Sequence, residues 1–103
     1  YLDPAERPAA AGLYRALCAA REAYEAGERD ADMLRARMSC TLAAEPLLIE
    51  EYVSAADPDT LAELEQVERG VLLSLAVRVG ATRLIDNILL ISNSKDQTPN
   101  GAI

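Results

Sequence analysis

Val71-Leu72-Leu73-Ser74-Leu75-Ala76-Val77-Arg78-Val79, followed by Gly80-Ala81-Thr82 and by Arg83-Leu84-Ile85-Asp86-Asn87-Ile88-Leu89-Leu90-Ile91, decides how the rest of the chain must fold. Every odd position from 71 to 79 is apolar, while Leu72, Ser74, Ala76 and Arg78 are mixed, the period-two signature of a strand with one buried face. Gly80-Ala81-Thr82 is short enough for a tight turn, and the Ile- and Leu-rich run after it reads as a second strand over 83–91. Strands joined so briefly form an antiparallel hairpin. Upstream, Leu47-Leu48-Ile49-Glu50-Glu51-Tyr52-Val53-Ser54 carries β-branched and aromatic residues without a helical period and supplies a third strand over 47–54. Between the strands, Asp57-Pro58-Asp59-Thr60-Leu61 combines a cap with a proline and predicts a short helical turn over about 58–65, and Gly70 breaks the chain again.

A sheet with one apolar face needs cover, and the first half of the chain provides it. Asp3-Pro4-Ala5-Glu6 starts a helical turn, and Pro8 sets the main helix at about 8–26, with Leu13, Leu17, Ala20 and Tyr24 on one stripe. Gly27 ends it as a residue able to take positive φ. Asp30 caps a second helix in which Leu34, Met38 and Leu42 recur every four residues, and Glu45-Pro46 closes it. The short connection makes the two helices an antiparallel hairpin. The expected fold is α+β: an antiparallel helical hairpin packed on a three-stranded antiparallel sheet, in two layers. Residues 92–103 lose the apolar pattern, collect turn formers and read as a flexible tail without assigned function.

The chain has 103 residues, the size of one domain, and is half hydrophobic. Seventeen acidic against ten basic residues give a net charge of −7, which opposes binding to phosphate backbones, so nucleic acid is not an expected partner. No 18-residue uncharged apolar stretch and no signal-peptide pattern occurs, which makes a cytoplasmic, non-membrane protein the expectation. Because the chain starts at Tyr1 rather than Met, it is expected to follow a segment that is not part of it.

The chain contains no histidine. That excludes zinc hydrolases, His-based acid–base enzymes and Ser-His triads acting through these residues alone. No phosphate-cradling glycine motif occurs either. Glu50-Glu51 and the Asp57/Asp59 pair read as solvated or capping acids rather than catalytic or metal-holding ones. Arg78 and Arg83 flank the Gly80 turn and could reach a phosphate; ion pairing with a nearby acid such as Asp86 is the more ordinary reading. Asp86-Asn87, inside an apolar strand, is expected to tie the hairpin to a neighbouring loop. Cys18 and Cys40 fall at similar heights on the helical hairpin; buried inert thiols are favoured over a thiol switch.

Several stretches together resemble the pantothenate synthetase (pantoate–β-alanine ligase) family. They are Tyr1-Leu2-Asp3-Pro4-x-Glu6-Arg7, Leu13-Tyr14-Arg15-Ala16-Leu17, Glu51-Tyr52-Val53 with Asp57-x-x-Thr60-Leu61, and, most specific, Ala76-Val77-Arg78-Val79-Gly80-x-Thr82-Arg83-Leu84-Ile85-Asp86-Asn87. Glu51 stands where the family pattern leads one to expect Asp. The resemblance covers about residues 1–90 and implies a C-terminal, lid-type domain over 1–91. It implies a parent ligase that uses ATP and Mg2+ to adenylate pantoate and then lets β-alanine displace AMP to give pantothenate, a coenzyme A precursor. It further implies that the catalytic groups and the nucleotide site lie in a preceding Rossmann-like domain, the expected partner of this segment, in a parent that is a candidate homodimer. On this reading no catalytic residue, metal ligand or cofactor belongs to the segment alone, Arg78 and Arg83 being its weak candidates for contact with the nucleotide, and the isolated domain is expected to be inactive. The alternative is a free-standing α+β interaction or dimerisation module without catalysis.

Overall fold

A computed structural model of the chain describes residues 7–91; the Asp3-Pro4-Ala5-Glu6 helix start and the 92–103 tail lie outside the described residues. Helix α1 (Arg7–Glu25) is followed by α2 (Ala31–Ala43), and these by strands β1 (Ile49–Ala56), β2 (Gly70–Val79) and β3 (Thr82–Ile91). The strands form one antiparallel sheet in the order β1-β2-β3. Both helices lie on the same face of it, α1 against β2 and β3 and α2 against β1, which is the two-layer α+β arrangement read from the sequence.

Local chemistry accounts for each boundary. Pro8 sits in the first described turn of α1, where its missing N–H costs little. Gly27, at φ 111°, closes α1: Glu28 N donates to Ala23 O at 2.9 Å and Gly27 N to Tyr24 O at 3.0 Å, the double bond of a Schellman cap. The Asp30 carboxylate accepts from Asp32 N at 2.9 Å and caps α2. At the hairpin, Gly80 takes φ 58° while Ala81 does not go positive, and Val79 pairs with Thr82, the backbone signature of a II′ turn.

The core lies between the layers. Val71, Leu73, Leu75, Val77 and Val79 all point into it, together with Leu17, Leu34, Met38 and Leu42 from the helices. The period-two and period-four stripes of the sequence are therefore the two halves of a single core. Cys18 is half-buried and Cys40 exposed, and both are free, so neither is the fully buried thiol expected. The buried stripe of α2 runs through Ala31, Leu34, Met38 and Leu42, and Cys40 stands off it.

Two elements differ from the reading. β1 begins at Ile49 because a turn in which Leu48 N donates to Glu45 O at 3.1 Å uses up residues 45–48. No helix forms over 58–65. The Asp57 cap exists, accepting from Asp59 N at 2.8 Å and Thr60 N at 2.9 Å, but Leu61 turns to φ 65° and the chain runs back antiparallel, Ala56 bridging Glu63. One capped turn fixes too few residues to propagate a helix, and bonds to β1 win. Leu64 N donates to Ala55 O at 2.9 Å and Val67 N to Arg29 O at 2.8 Å, so this return ties the end of β1 to the connection between α1 and α2.

Arg35 of α2 secures the return. Its guanidinium donates to Ala55 O at 3.0 Å and Leu64 O at 2.6 Å and pairs with Glu63 at 3.0 Å and Asp32 at 2.7 Å. The Glu63 carboxylate also accepts from Ser54 Oγ and from Ala55 N. Partial desolvation raises the Glu63 pKa, but those hydrogen bonds and Arg35 outweigh it and leave the group below its ordinary value. Asp57 is lowered as well, by the backbone N–H groups of Thr60 and Asp59.

We expect Leu73→Ala to cost about 2–5 kcal/mol and Leu89→Ala, on the uncovered face, to stay within about 0.5 kcal/mol, read as urea midpoints. Because Glu63 and Asp57 titrate lower folded than unfolded, their contribution is complete above the unfolded carboxylate range and fades as pH falls through the folded values. The urea midpoint is therefore expected to drop between pH 6 and pH 3, and to drop less in Glu63→Gln; an equal drop in both proteins would remove Glu63 from the account.

Candidate functional site

The helices cover one face of the sheet and leave the other bare. Register lays that face out in rows: Ile49 beside Arg78 and Arg83, then Tyr52, Ala76 and Ile85, then Ser54, Ser74 and Asn87, then Ala56, Leu72 and Leu89, with Ile91 beside Gly70 at the far end. Ile49 is 60% exposed, Ile85 54%, Leu89 53% and Ile91 55%. These exposed aliphatic side chains share one open face of the sheet, in two groups divided by the polar row of Ser54, Ser74 and Asn87.

At the hairpin end of this face stands its only concentration of charge among the described residues. Arg78 and Arg83 are direct cross-strand partners, an arrangement of like charges that is unfavourable by itself. Glu51 resolves it. The register of β1 slips between Glu50 and Tyr52, and this bulge turns the Glu51 carboxylate between the two guanidiniums. Oε2 accepts from Arg78 Nε at 3.0 Å and lies 2.9 Å from Nη2, while Oε1 accepts from Arg83 Nε. The bond from Arg83 contributes most to holding the Glu51 carboxyl below its ordinary pKa, against a smaller opposing effect of desolvation. The Glu51 side chain is 25% exposed and each arginine 45%.

Sequence reasoning placed the cations correctly and missed their acid. Asp86 is not the partner: it pairs in register with Leu75 on the helix side, whereas Arg78 and Arg83 face the other way. Nor does Asp86 tie the hairpin to a loop. Its Oδ1 accepts from Asn87 N at 2.8 Å, within its own strand. β3 is an edge strand, so Asp86 is only half-buried and Asn87 is exposed, and neither needs a distant partner. Strand parity is the signal that could have excluded Asp86, since residues 83 and 86 point to opposite faces.

A cleft of about 410 Å³ opens elsewhere, at the end of β3, lined by Asp57, Asp59, Glu68, Arg69 and Ile91 among others. Three acids against one base make it a poor seat for an anion, and Asp57 Oδ1 already accepts from two backbone N–H groups. Among the described residues no group of three or more His, Cys, Asp or Glu side chains is placed to hold a metal ion. No helix among them is long and apolar enough to cross a membrane.

A family model described as Pantoate-beta-alanine ligase matches residues 1–89. The pantothenate synthetase of Roseiflexus sp. (strain RS-1) is 57% identical over 90 residues, which is 87% of this chain and 32% of that protein. A bifunctional pantoate ligase/cytidylate kinase of Synechococcus elongatus (strain ATCC 33912 / PCC 7942 / FACHB-805) is 47% identical over 87% of the chain and 17% of its own length. Among solved structures, a pantothenate synthetase from Thermus thermophilus superposes with a TM-score of 0.77 at 35% identity, over 85% of this chain and 32% of that one. The chain thus spans about a third of the length of the pantothenate synthetases it matches.

The two facing arginines give a test of how Glu51 works. Glu51→Ala is expected to lower the urea midpoint at low ionic strength, and added salt is expected to recover part of the loss by screening the repulsion between Arg78 and Arg83. A midpoint insensitive to both the substitution and the salt would show that the carboxylate is not balancing the pair.

Proposed function

Since the chain belongs to the pantoate–β-alanine ligase family, we propose that it works as the lid-type C-terminal domain of a ligase that condenses pantoate with β-alanine through a pantoyl adenylate. ATP, with Mg2+, is the adenylating substrate of that reaction, and the preceding nucleotide-binding domain of the same protein holds the groups that perform it. The observation that carries this reading is the bare sheet face: an apolar surface on a domain whose own core is complete on the other side. A surface of this kind suits reversible contact with the rest of the ligase.

The chemistry gives such a contact a task. An acyl adenylate is a reactive mixed anhydride, and water competes with the β-alanine amine for its carbonyl carbon. A lid that closes over the site excludes water and raises the fraction of adenylate captured by the amine. The chain contains no histidine to act as base and no glycine-rich phosphate loop, so its contribution is to cover and position.

The 103-residue chain mixed with pantoate, β-alanine and ATP-Mg2+ is expected to form no pantothenate. Joined to the remaining two thirds of the Roseiflexus relative, it is expected to restore turnover. In that chimera Leu89→Asp or Ile85→Asp should lower kcat/KM by about tenfold and release more AMP than pantothenate, since a lid that fits badly admits water. Turnover by the chain alone would overturn the proposal, as would undiminished, fully coupled turnover in both face variants. The same bare face favours one other reading, a free-standing interaction or dimerisation module. A concentration-dependent dimer of the chain in sedimentation, abolished by Leu89→Asp, would support it over the lid.

A further inference from the structure

The bare face is not electrically neutral where it meets the hairpin. Arg78, Arg83 and Glu51 together carry one net positive charge, in a chain whose total is −7. While the face is open, water solvates the excess. If the face is covered, as the lid reading requires, an unmatched charge is taken out of water beside Ile49, Tyr52 and Ile85, and that desolvation is unfavourable unless a counter-charge arrives with the cover.

The arrangement of donors indicates what kind of counter-charge fits. Two guanidiniums converge on one carboxylate from adjacent strands, and together they offer more than twice as many N–H donors as the roughly four lone-pair sites of its two oxygens can accept. Nearly half-exposed, the arginines have donors left to turn toward a third group on the solvent side. Planar guanidiniums match the spacing of oxygens on phosphate and bind it bidentately. Glu51 already occupies the shared position; a second carboxylate would offset the single excess charge with two oxygens, whereas a phosphate group offers three acceptor oxygens with which to meet both arginines at once.

We propose that Arg78 and Arg83 form a phosphate-binding fork, which takes a phosphate group of the nucleotide or of the pyrophosphate it releases when the sheet face is covered, with Glu51 holding the fork in shape beforehand. The inference rests on the lid reading for the source of the phosphate, but binding by the fork can be measured without it. Glu51 is both scaffold and competitor. Removing its charge therefore strengthens anion binding, the reverse of what a merely structural ion pair would do.

The test is a titration of the 103-residue chain followed by the Nε–Hε resonances of Arg78 and Arg83, with pyrophosphate, ATP and AMP as probes at ionic strength matched with chloride. Pyrophosphate or ATP is expected to give saturable shifts at both arginines, with AMP at least about tenfold weaker, because AMP lacks the β- and γ-phosphates. Saturation by ATP and not pyrophosphate assigns the intact nucleotide as the source; saturation by both includes the product. Arg83→Gln should weaken binding by about tenfold and Glu51→Gln should tighten it by about threefold, with the amide spectrum of each variant confirming the fold. Shifts that never saturate, or that match the chloride control, would overturn the fork, and so would Glu51→Gln binding no more tightly than the parent. Such a result would leave an acidic side chain from the remaining two thirds of the protein as the counter-charge. Saturable binding here together with fully coupled turnover in the Leu89→Asp and Ile85→Asp chimeras would instead retain the fork and remove the lid.

Discussion

The Arg35 guanidinium is the interaction on which the two layers depend. Its side chain is 19% exposed and holds two backbone carbonyls, Ala55 O on β1 and Leu64 O on the return segment, along with the carboxylates of Glu63 and Asp32. An edge strand presents unpaired N–H and C=O groups that invite another chain. At the end of β1 the return pairs with Ala55 and Ala56, further on it pairs with Asp30 and Ala31 at the start of α2, and Arg35 fastens it to that helix. A charge this enclosed is tolerable only with its donors satisfied. Removing Arg35 would take the guanidinium from Leu64 O and the only cation from Glu63 among the described ion pairs, and would loosen the return and the helix together.

Much of this was legible in the sequence because it is periodic. The odd positions of β2 and the four-residue spacing of Leu34, Met38 and Leu42 are direct records of which way side chains point, and the core contains them all. β3 was legible as a strand but not by face: Leu84, Ile85, Ile88 and Leu89 are apolar on both sides, so composition could not tell the core from the bare surface. Arg35 was not legible at all. Its partners on the return segment and β1 lie 20 to 29 residues away in sequence, where the path is set by the Leu61 backbone and by bonds to β1 rather than by the local cap-plus-proline pattern. Local signals lost there to tertiary hydrogen bonds.

The candidate site divides in the same way. Arg78 and Arg83 announce themselves as cations on either side of a glycine turn. Their acid sits 27 and 32 residues upstream, and only a one-residue slip in β1 brings it to them. A slip of that kind has no sequence signature, while Asp86 was near in sequence and wrong by parity. Family resemblance located the hairpin motif but could not supply the pairing either, since Glu51 departs from the acid expected there.

If the sheet face is covered only part of the time, as proposed above, the domain must be stable uncovered, and the distribution of side chains meets that condition. The core lies wholly between the layers, so opening the other face breaks none of it. On that face Ile85 and Leu89 are separated by the polar row Ser54, Ser74 and Asn87, which limits the continuous apolar area available to a wrong partner. Fully covering one exposed aliphatic side chain gains about 1.5–3 kcal/mol, and these are already about half-covered, so four of them contribute only a few kcal/mol. That is the same order as the cost of burying one unmatched charge. On that proposal, with the fork unfilled the two terms oppose each other and closure is close to balanced. Pairing the fork with an anion offsets the opposing term and leaves the apolar gain, so a closing surface built this way would shut preferentially when a phosphate is present to be enclosed.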